Sequence, residues 1–281
     1  MIIYKKVVDI SIFITRHRVN GKTIGLVPTM GALHKGHISL INESKKANDL
    51  TACSIFVNPT QFNDKSDLEK YPITLEADIA MLHNAGCDVL FLPSVDEIYP
   101  ENSVLGDYDL GLLETLLEGK YRPGHFQGVC QVVHRLLDII QPTNLFIGQK
   151  DYQQCMVIQK LIELKNIDTA IIICPTVRED SGLAMSSRNM RLSDKSRETA
   201  VSIYQSLLFV KDNIALLPIE SIEKLVAEKL LTTGFNQIDY VEICNAKTLE
   251  SLSHYSEQTP TVVLIAAFID GVRLIDNMLI S

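Results

Sequence analysis

The sequence predicts an α/β protein, with a Rossmann-like parallel sheet domain followed by a smaller α+β C-terminal domain. Three observations predict it. Apolar runs at 24–27, 50–57 and 87–92 alternate with helical periodicity, giving the order β, α, β, α, β. The first run opens through a glycine-containing loop into a helix, the start of a βαβ unit. After Pro175 the pattern changes to a polar loop, two helices and a terminal hairpin. The boundary falls near 176, dividing the chain into 1–176 and 177–281.

Each element has a local reason. Residues 7–20 form a short amphipathic helix stopped by Asn20-Gly21. In the stretch 24–47, IGLVPTMGALHKGHISLINESKKA, the strand ends at Pro28, and Ile38, Leu40, Ile41 and Ala47 fit a helix buried on one face. That helix is the crossover to a second strand, 50–57, closed by Asn58-Pro59. Residues 62–72 (FNDKSDLEKYP) are charged and poor in apolar side chains, so a mobile surface loop is expected. Thr74 caps a helix through Leu75, Ile79 and Leu82 to Gly86, and the strand 87–92 ends at Pro93.

The middle of the chain is less regular. A short helix at 112–117 ends near Gly119, 120–128 (KYRPGHFQG) is a loop, and 129–140 is a helix with a broad apolar face, broken by Gln141-Pro142. A short strand at 145–147 leads into a helix begun by 148–151, and 169–174 (TAIIIC) reads as a further buried strand. Beyond the polar loop 176–191, helices are expected at 195–213 and 218–231, and a strand at 238–244. The runs 261–269 and 272–280 form a hairpin joined by Asp270-Gly271, a type I′ turn pair.

Bulk properties narrow the function. A net charge of -8 argues against a general nucleic-acid-binding surface, so any site for an anionic ligand must gather its positive charge locally. The six cysteines (Cys53, Cys87, Cys130, Cys155, Cys174, Cys244) form no CxxC pair and sit mostly in apolar runs, as expected for free buried thiols in a reducing cytoplasm. Charges interrupt the apolar N-terminus, a poor signal peptide, and no apolar run is long enough for a membrane span. Without a GxGxxG fingerprint, no dinucleotide cofactor is predicted.

The loop between the first strand and its helix suggests anion binding. The first N–H groups of a helix lack internal partners and carry the positive end of its dipole. Gly31 and Gly36 allow close backbone approach, and His34 and His37 can donate hydrogen bonds to phosphate oxygens, more strongly if protonated. The alternative is a plain surface loop; a zinc site is the poorer reading because no third ligand is evident. Three further groups follow apolar strands or the loop beyond the last one: Asn58 and Gln61; Gly148, Gln149, Lys150 and Asp151; Met185, Ser186, Ser187 and Arg188. Alone, each reads as a turn, a surface ion pair or loop polars. Together they predict one ligand cleft, because ligands in open α/β sheets bind at the carboxyl ends of strands.

These residues carry a resemblance. PTMGALHKGH is similar to the HxGH signature of the nucleotidyltransferase and class I aminoacyl-tRNA synthetase superfamily, and MSSRN resembles its KMSKS-type signature, with Arg188 where a lysine often stands. With SIFVNPTQF, RPGHFQG, GQKDYQQ and RLIDN, the chain from about 24 to 277 resembles the pantothenate synthetase (pantoate–β-alanine ligase) family. VNPTQF and KDYQQ are more discriminating than HxGH, and the departure at Gln149, where some members carry Glu, falls on a position not assigned a key role.

The resemblance implies ATP-dependent condensation of (R)-pantoate with β-alanine through pantoyl adenylate, releasing AMP and pyrophosphate on the way to coenzyme A. It implies ATP on Met30, Gly31, Ala32, Leu33, His34, Lys35, Gly36 and His37, on Gly148, Gln149, Lys150 and Asp151, on Val177, and on Met185, Ser186, Ser187 and Arg188. His37, His34, Lys150 and Arg188 would be catalytic, with His37 the position usually described as a proton donor. Gln61, Gln154 and Asn58 would hold pantoate, Gln61 also lying near β-alanine. Mg²⁺ is expected on the phosphates, with no metal-ligating residue assigned, and a homodimer is implied, with neither nucleic acid nor membrane as a partner.

The chemistry of the residues agrees with that reading. Attack at phosphorus spreads negative charge over oxygens, so positioning and preorganised positive charge do most of the work. Neutral glutamines orient a hydroxy acid without neutralising the carboxylate that must act as nucleophile. A mixed anhydride must be kept from water, which makes 62–72 a candidate lid. Two alternatives differ in class. A nucleotidyl transfer to a phosphate monoester would call for more Arg and Lys than Asn58 and Gln61 provide, and a non-enzymatic nucleotide sensor has no use for paired glutamines beside the phosphates.

Overall fold

Six short strands pair in parallel in one sheet and three longer ones pair antiparallel in another. The computed structural model describes residues 1–63, 65–101 and 105–280. In chain order the first part runs β1 (Ile2–Tyr4), α1 (Val7–Val19), β2 (Ile24–Thr29), α2 (Lys35–Ala47), β3 (Leu50–Ile55), α3 (Lys65–Glu69), α4 (Leu75–Asn84), β4 (Val89–Phe91) and α5 (Val95–Ile98). It continues through α6 (Leu117–Tyr121), α7 (His125–Ile140), β5 (Asn144–Gly148), α8 (Tyr152–Lys165) and β6 (Ala170–Cys174). Helices α9 (Asp194–Asn213) and α10 (Ile219–Thr233) and strands β7 (Gln237–Asn245), β8 (Thr261–Ile269) and β9 (Val272–Ile280) complete the chain.

The parallel sheet has the order β1-β4-β3-β2-β5-β6. The chain leaves β2 toward β3 and β4, then returns to place β5 on the other side, so the order reverses between β2 and β5. Those two strands pair only at Gly25 with Asn144 and Leu26 with Leu145, then part. Successive side chains alternate between the faces: Leu26 packs with α7 and α8 residues, Val27 with Leu40 and Ile41 of α2 and Leu82 of α4. Gly25 is required where α2 lies closest, since a Cβ there would meet Ser44 Oγ at 2.1 Å.

In the antiparallel sheet, β8 is buried on both faces, as its unbroken apolar sequence demands. Val263, Ile265 and Ala267 pack against α9 and α10, while Val262, Leu264 and Ala266 face Leu117 of α6 and Tyr152 and Met156 of α8. Polar ties accompany this packing. Arg273 of β9 donates to both carboxylate oxygens of Glu118 at 2.8 and 2.7 Å, and Asn277 Nδ2 donates to the carbonyls of Gln149 and Lys150 at 2.9 and 2.8 Å. Asp270 and Gly271 both take positive φ, 51° and 68°, consistent with a type I′ turn.

Several expectations are corrected. Pro28 does not end its strand: it lies inside β2. The Ile24 carbonyl accepts from Thr143 N on the β5 side, and alternation points Pro28 the same way, beyond the last β2–β5 pair, where no ladder N–H is needed. Helix α2 starts at Lys35 rather than Ile38, bringing His37 into its first turn. The 62–72 loop contains α3, residue 64 lying outside the described residues. The 120–128 loop is shorter than expected, because α6 runs to Tyr121 and α7 begins at His125. Strand β6 is a sheet edge rather than a buried strand, with Ile172 and Ile173 38% and 45% exposed. The edge strand β1 was not predicted; three residues carry too little periodicity to be read.

Candidate active site

Where β2 and β5 part, a cavity of ≈ 230 Å³ opens at the carboxyl ends of the strands. Its walls bring together Met30, His34, Gly36 and His37 after β2, Gln61 after β3, Gly148, Lys150, Asp151 and Gln154 after β5, and Val177 and Met185 to Arg188 after β6. A second cavity of ≈ 390 Å³ shares Arg122, Lys150, Asp151, Ser186 and Arg188 with it. Gly31, Ala32, Leu33, Lys35, Asn58 and Gln149, expected at the ligand, do not line the first cavity.

The histidine wall is built locally. His34 is the N-cap of α2, and its Nδ1 accepts from Gly36 N at 3.2 Å. His37, in the first turn, returns the arrangement: its Nδ1 accepts from His34 N at 3.3 Å. This is a capping box made of two imidazoles. A backbone N–H can only donate, so both Nδ1 atoms are unprotonated and each neutral ring carries its proton on Nε2. Burial first, then Lys150, lowers the pKa of His34 from 6.5 to about 4; burial, then His34 and Lys150, lowers that of His37 to about 3. The rings are therefore neutral Nε2–H donors at pH 7, not the imidazolium ions that would bind phosphate more strongly.

Two amides of the loop ahead of α2 are taken by the chain itself. Gly31 and Ala32 both have positive φ, 84° and 49°, which turns the Ala32 and Leu33 N–H groups inward. There they donate to the buried Asp78 carboxylate of α4 at 2.9 and 2.8 Å. Asp78 thus fixes the loop, and the imidazoles of His34 and His37, with Met30 and Gly36, are what the loop offers a ligand. Lys35 is exposed, and Gln149 faces β9, its Nε2 3.4 Å from Asn277 Oδ1.

Asn58 is fully buried and holds Gln61 rather than reaching the cavity. Its Nδ2 donates to the Gly128 carbonyl at 3.0 Å and to Gln61 Oε1 at 3.2 Å, while Tyr99 OH donates to its Oδ1 at 2.9 Å. His125 Nδ1–H donates to the Gln61 carbonyl at 2.7 Å, and its Nε2 accepts from Arg122 at 3.1 Å. Burial, then the Arg122 charge, lowers the His125 pKa to about 3. Gly128 lets α7 touch this turn, since a Cβ would lie 2.5 Å from the Thr60 carbonyl oxygen.

Another part of the lining is charged and held by residues distant in sequence. Arg188 donates to Asp67 Oδ2 at 2.8 Å and Arg191 to Oδ1 at 2.9 Å, while the hydroxyls of Tyr71 and Ser187 lie 3.3 Å apart. Burial opposes the Asp67 charge, but the two guanidiniums outweigh it and keep its pKa below the ordinary value. The same contacts raise the Arg188 pKa against its own burial. The segment expected to be a mobile loop is therefore clasped, through Asp67 and Tyr71, to the loop after β6.

The sequence reading missed Asp67, Asp78, Tyr99, Arg122 and His125 as contributors. RPGHF marks Arg122 and His125 as unusual, and Thr74 followed by Asp78 marks a helix start, but none of these names its distant partner. Among the described residues no three His, Cys, Asp or Glu side chains gather as a metal site, and no helix is long and apolar enough to cross a membrane.

Comparison with known proteins follows the same geometry. The model of the pantoate-beta-alanine ligase family matches residues 2–279. The pantothenate synthetase of Cytophaga hutchinsonii is 45% identical over 282 residues, covering 100% of this chain and 99% of that protein. That of Porphyromonas gingivalis is 43% identical over 278 residues, covering 99% of each. The crystal structure of Thermus thermophilus pantothenate synthetase superposes with a TM-score of 0.92 at 36% identity, covering 99% of both chains. That of Francisella tularensis pantoate-beta-alanine ligase, complexed with beta-gamma ATP and beta-alanine, gives 0.84 at 40% identity, covering 99% of this chain and 97% of that one.

Proposed function

The chain belongs to the pantoate–β-alanine ligase family, and from that premise we propose that it condenses (R)-pantoate with β-alanine at the expense of ATP, in two steps on one site. The observation that carries this reading is the single cavity lined by His34, His37, Lys150 and Arg188 together with the amides of Gln61 and Gln154. In the first step a pantoate carboxylate oxygen bonds to the α-phosphorus of ATP as the bond to the β-phosphate bridging oxygen breaks, giving an acyl adenylate and pyrophosphate. In the second the neutral β-alanine amine bonds to the acyl carbon as that carbon's bond to the phosphate oxygen breaks; AMP leaves with the bonding electrons, and the surplus amine proton passes to solvent.

Each residue then has a role that its surroundings support. His34 and His37 offer Nε2–H groups to phosphate oxygens from a fixed cap, and Lys150 and Arg188 offer positive charge from other walls. Met30, Gly36, Gly148 and Asp151 shape the nucleotide side, Val177 meets the adenine, and Met185 to Ser187 border the phosphates. Gln61 and Gln154 hold the hydroxy acid, with Asn58 positioning Gln61. Among the cavity's described lining residues Asp151 is the one carboxylate, so Mg²⁺ would arrive on ATP, held mainly by phosphate oxygens and water, and would neutralise phosphate charge. The segment 62–72 is the lid that keeps water from the mixed anhydride, clasped through Asp67 and Tyr71.

The remaining readings follow from the same premise. The chain divides near 176 into a nucleotide- and pantoate-binding part and a part carrying the MSSR loop. It forms a homodimer, an arrangement supported by the exposed isoleucines on the β6 edge. Six buried free thiols suit a cytoplasmic location.

Isotope exchange between pyrophosphate and ATP tests the two-step reading. Exchange is expected with pantoate alone, and net AMP release only once β-alanine is added. AMP release without any pantoate-dependent exchange would overturn the adenylate route, and no AMP release with all three substrates would overturn the function.

A further inference from the structure

The hydrogen bonds around Asn58 determine which end of Gln61 meets the substrate. Thr60 N, which can only donate, faces one terminal atom of the Asn58 amide at 3.4 Å, so that atom is oxygen. The Gly128 carbonyl, which can only accept, faces the other at 3.0 Å, so that atom is nitrogen. The same nitrogen reaches Gln61 at 3.2 Å, and the atom it meets there must be the amide oxygen. Gln61 is therefore left with its Nε2 on the cavity side, 3.0 Å from Met30 Sδ, another cavity residue.

Two of the Asn58 partners come from outside the turn, the Gly128 carbonyl of α7 and the Tyr99 hydroxyl, and of the two only Tyr99 donates. Tyr99, just after α5, donates its hydroxyl to Asn58 Oδ1 at 2.9 Å, the shortest of the three contacts on that oxygen, ahead of the Thr60 hydroxyl at 3.1 Å and Thr60 N at 3.4 Å. Its ring is held edge-on to Phe56, with centroids 6.2 Å apart. Independently, His125 fixes the Gln61 backbone through its carbonyl, so the remaining freedom of the residue lies in its side-chain amide.

We propose that Tyr99 is a positioning residue for the hydroxy acid: through Asn58 it holds the Gln61 amide so that N–H groups, rather than the carbonyl, face the substrate. The inference rests on the function proposed above and extends it to selectivity. A donor at that place suits carboxylate and hydroxyl oxygens and disfavours an ammonium group, so Gln61 favours the hydroxy acid's oxygens over the ammonium end of β-alanine. Tyr99 itself does not line the cavity.

Tyr99→Phe keeps the ring and removes the donor. The expected result is a rise of roughly tenfold in KM for pantoate, as for loss of one hydrogen bond on a buried acceptor, with KM for ATP within about twofold of wild type. In a Gln61→Ala background the same substitution is expected to add almost nothing, because its effect passes through that side chain. Equal effects in both backgrounds, or an equal rise in both KM values, would overturn the proposal. A readout independent of activity is the Gln61 side-chain amide resonance of the unliganded protein. A shift in Tyr99→Phe is expected, and an unchanged resonance sinks the relay. Wild-type protein that makes no AMP while the resonance still moves would instead sink the function and leave the relay standing.

Discussion

The two polar walls of the cleft are held in opposite ways. The histidine wall is locked by bonds within four residues of chain: the His37 ring accepts from His34 N and the His34 ring from Gly36 N at one helix end, and both rings are neutral. The arginine wall is charged, and its guanidiniums are held by Asp67, which is 121 residues away from Arg188 in sequence. A local cap cannot let go without unwinding the first turn of α2. An ion pair on a five-residue helix can exchange its carboxylate for a phosphate. The difference assigns preorganisation to the histidines and adjustability to the arginines.

The comparison can be broken at its rigid side first. His37→Ala removes a fixed Nε2–H donor and half of the capping box, and AMP formation is expected to fall roughly a hundred- to a thousandfold. A loss below tenfold in steady-state turnover would mean that the histidine wall is not preorganised for the transition state. A smaller effect sharpens the adjustable side. Asp67→Asn removes the anion that competes for Arg188, so KM for ATP is expected to fall by roughly fivefold, the equivalent of an ion pair of about 1 kcal/mol. A raised KM for ATP would show that the clasp helps to bind the nucleotide rather than opposing it.

The smallest expected effect is on stability. The free imidazole of an unfolded chain takes up a proton near 6.5, whereas folded His34 resists until about 4. Stability from its neutral state is therefore complete above pH 6.5 and lost as pH falls toward 4. His34→Asn retains a capping acceptor without a titrating ring. Its melting temperature is expected to decline less steeply than wild type between pH 6.5 and 4; parallel curves would contradict the neutral-histidine wall.

What was legible in the sequence follows the same division. The His34–His37 loop and the strand-loop-helix order were readable because glycine breaks and periodicity act over a few residues, whereas the imidazole cap ahead of Lys35 was not read, the helix having been expected from Ile38. Pro28 was misread because its place in β2 depends on where β5 stops pairing, which is a property of another segment. Asn58 was grouped with Gln61 as a ligand because both stand in VNPTQF, yet α7 and Tyr99 supply partners that turn it inward. TAIIIC looked buried because an apolar run does not reveal whether a neighbouring strand lies beyond it.

The sequence by itself determined the alternation of strands and helices, the glycine loop that carries the two histidines and the family motifs, since each depends on residues a few positions apart. Only the tertiary structure decided that Asp78 takes the Ala32 and Leu33 amides, that Asp67 clasps Arg188, and that Asn58 serves Gln61. The physical reason is distance along the chain: a carboxylate and the group it neutralises need only be close in space, and no local pattern records which of the 34 Asp and Glu residues will arrive there.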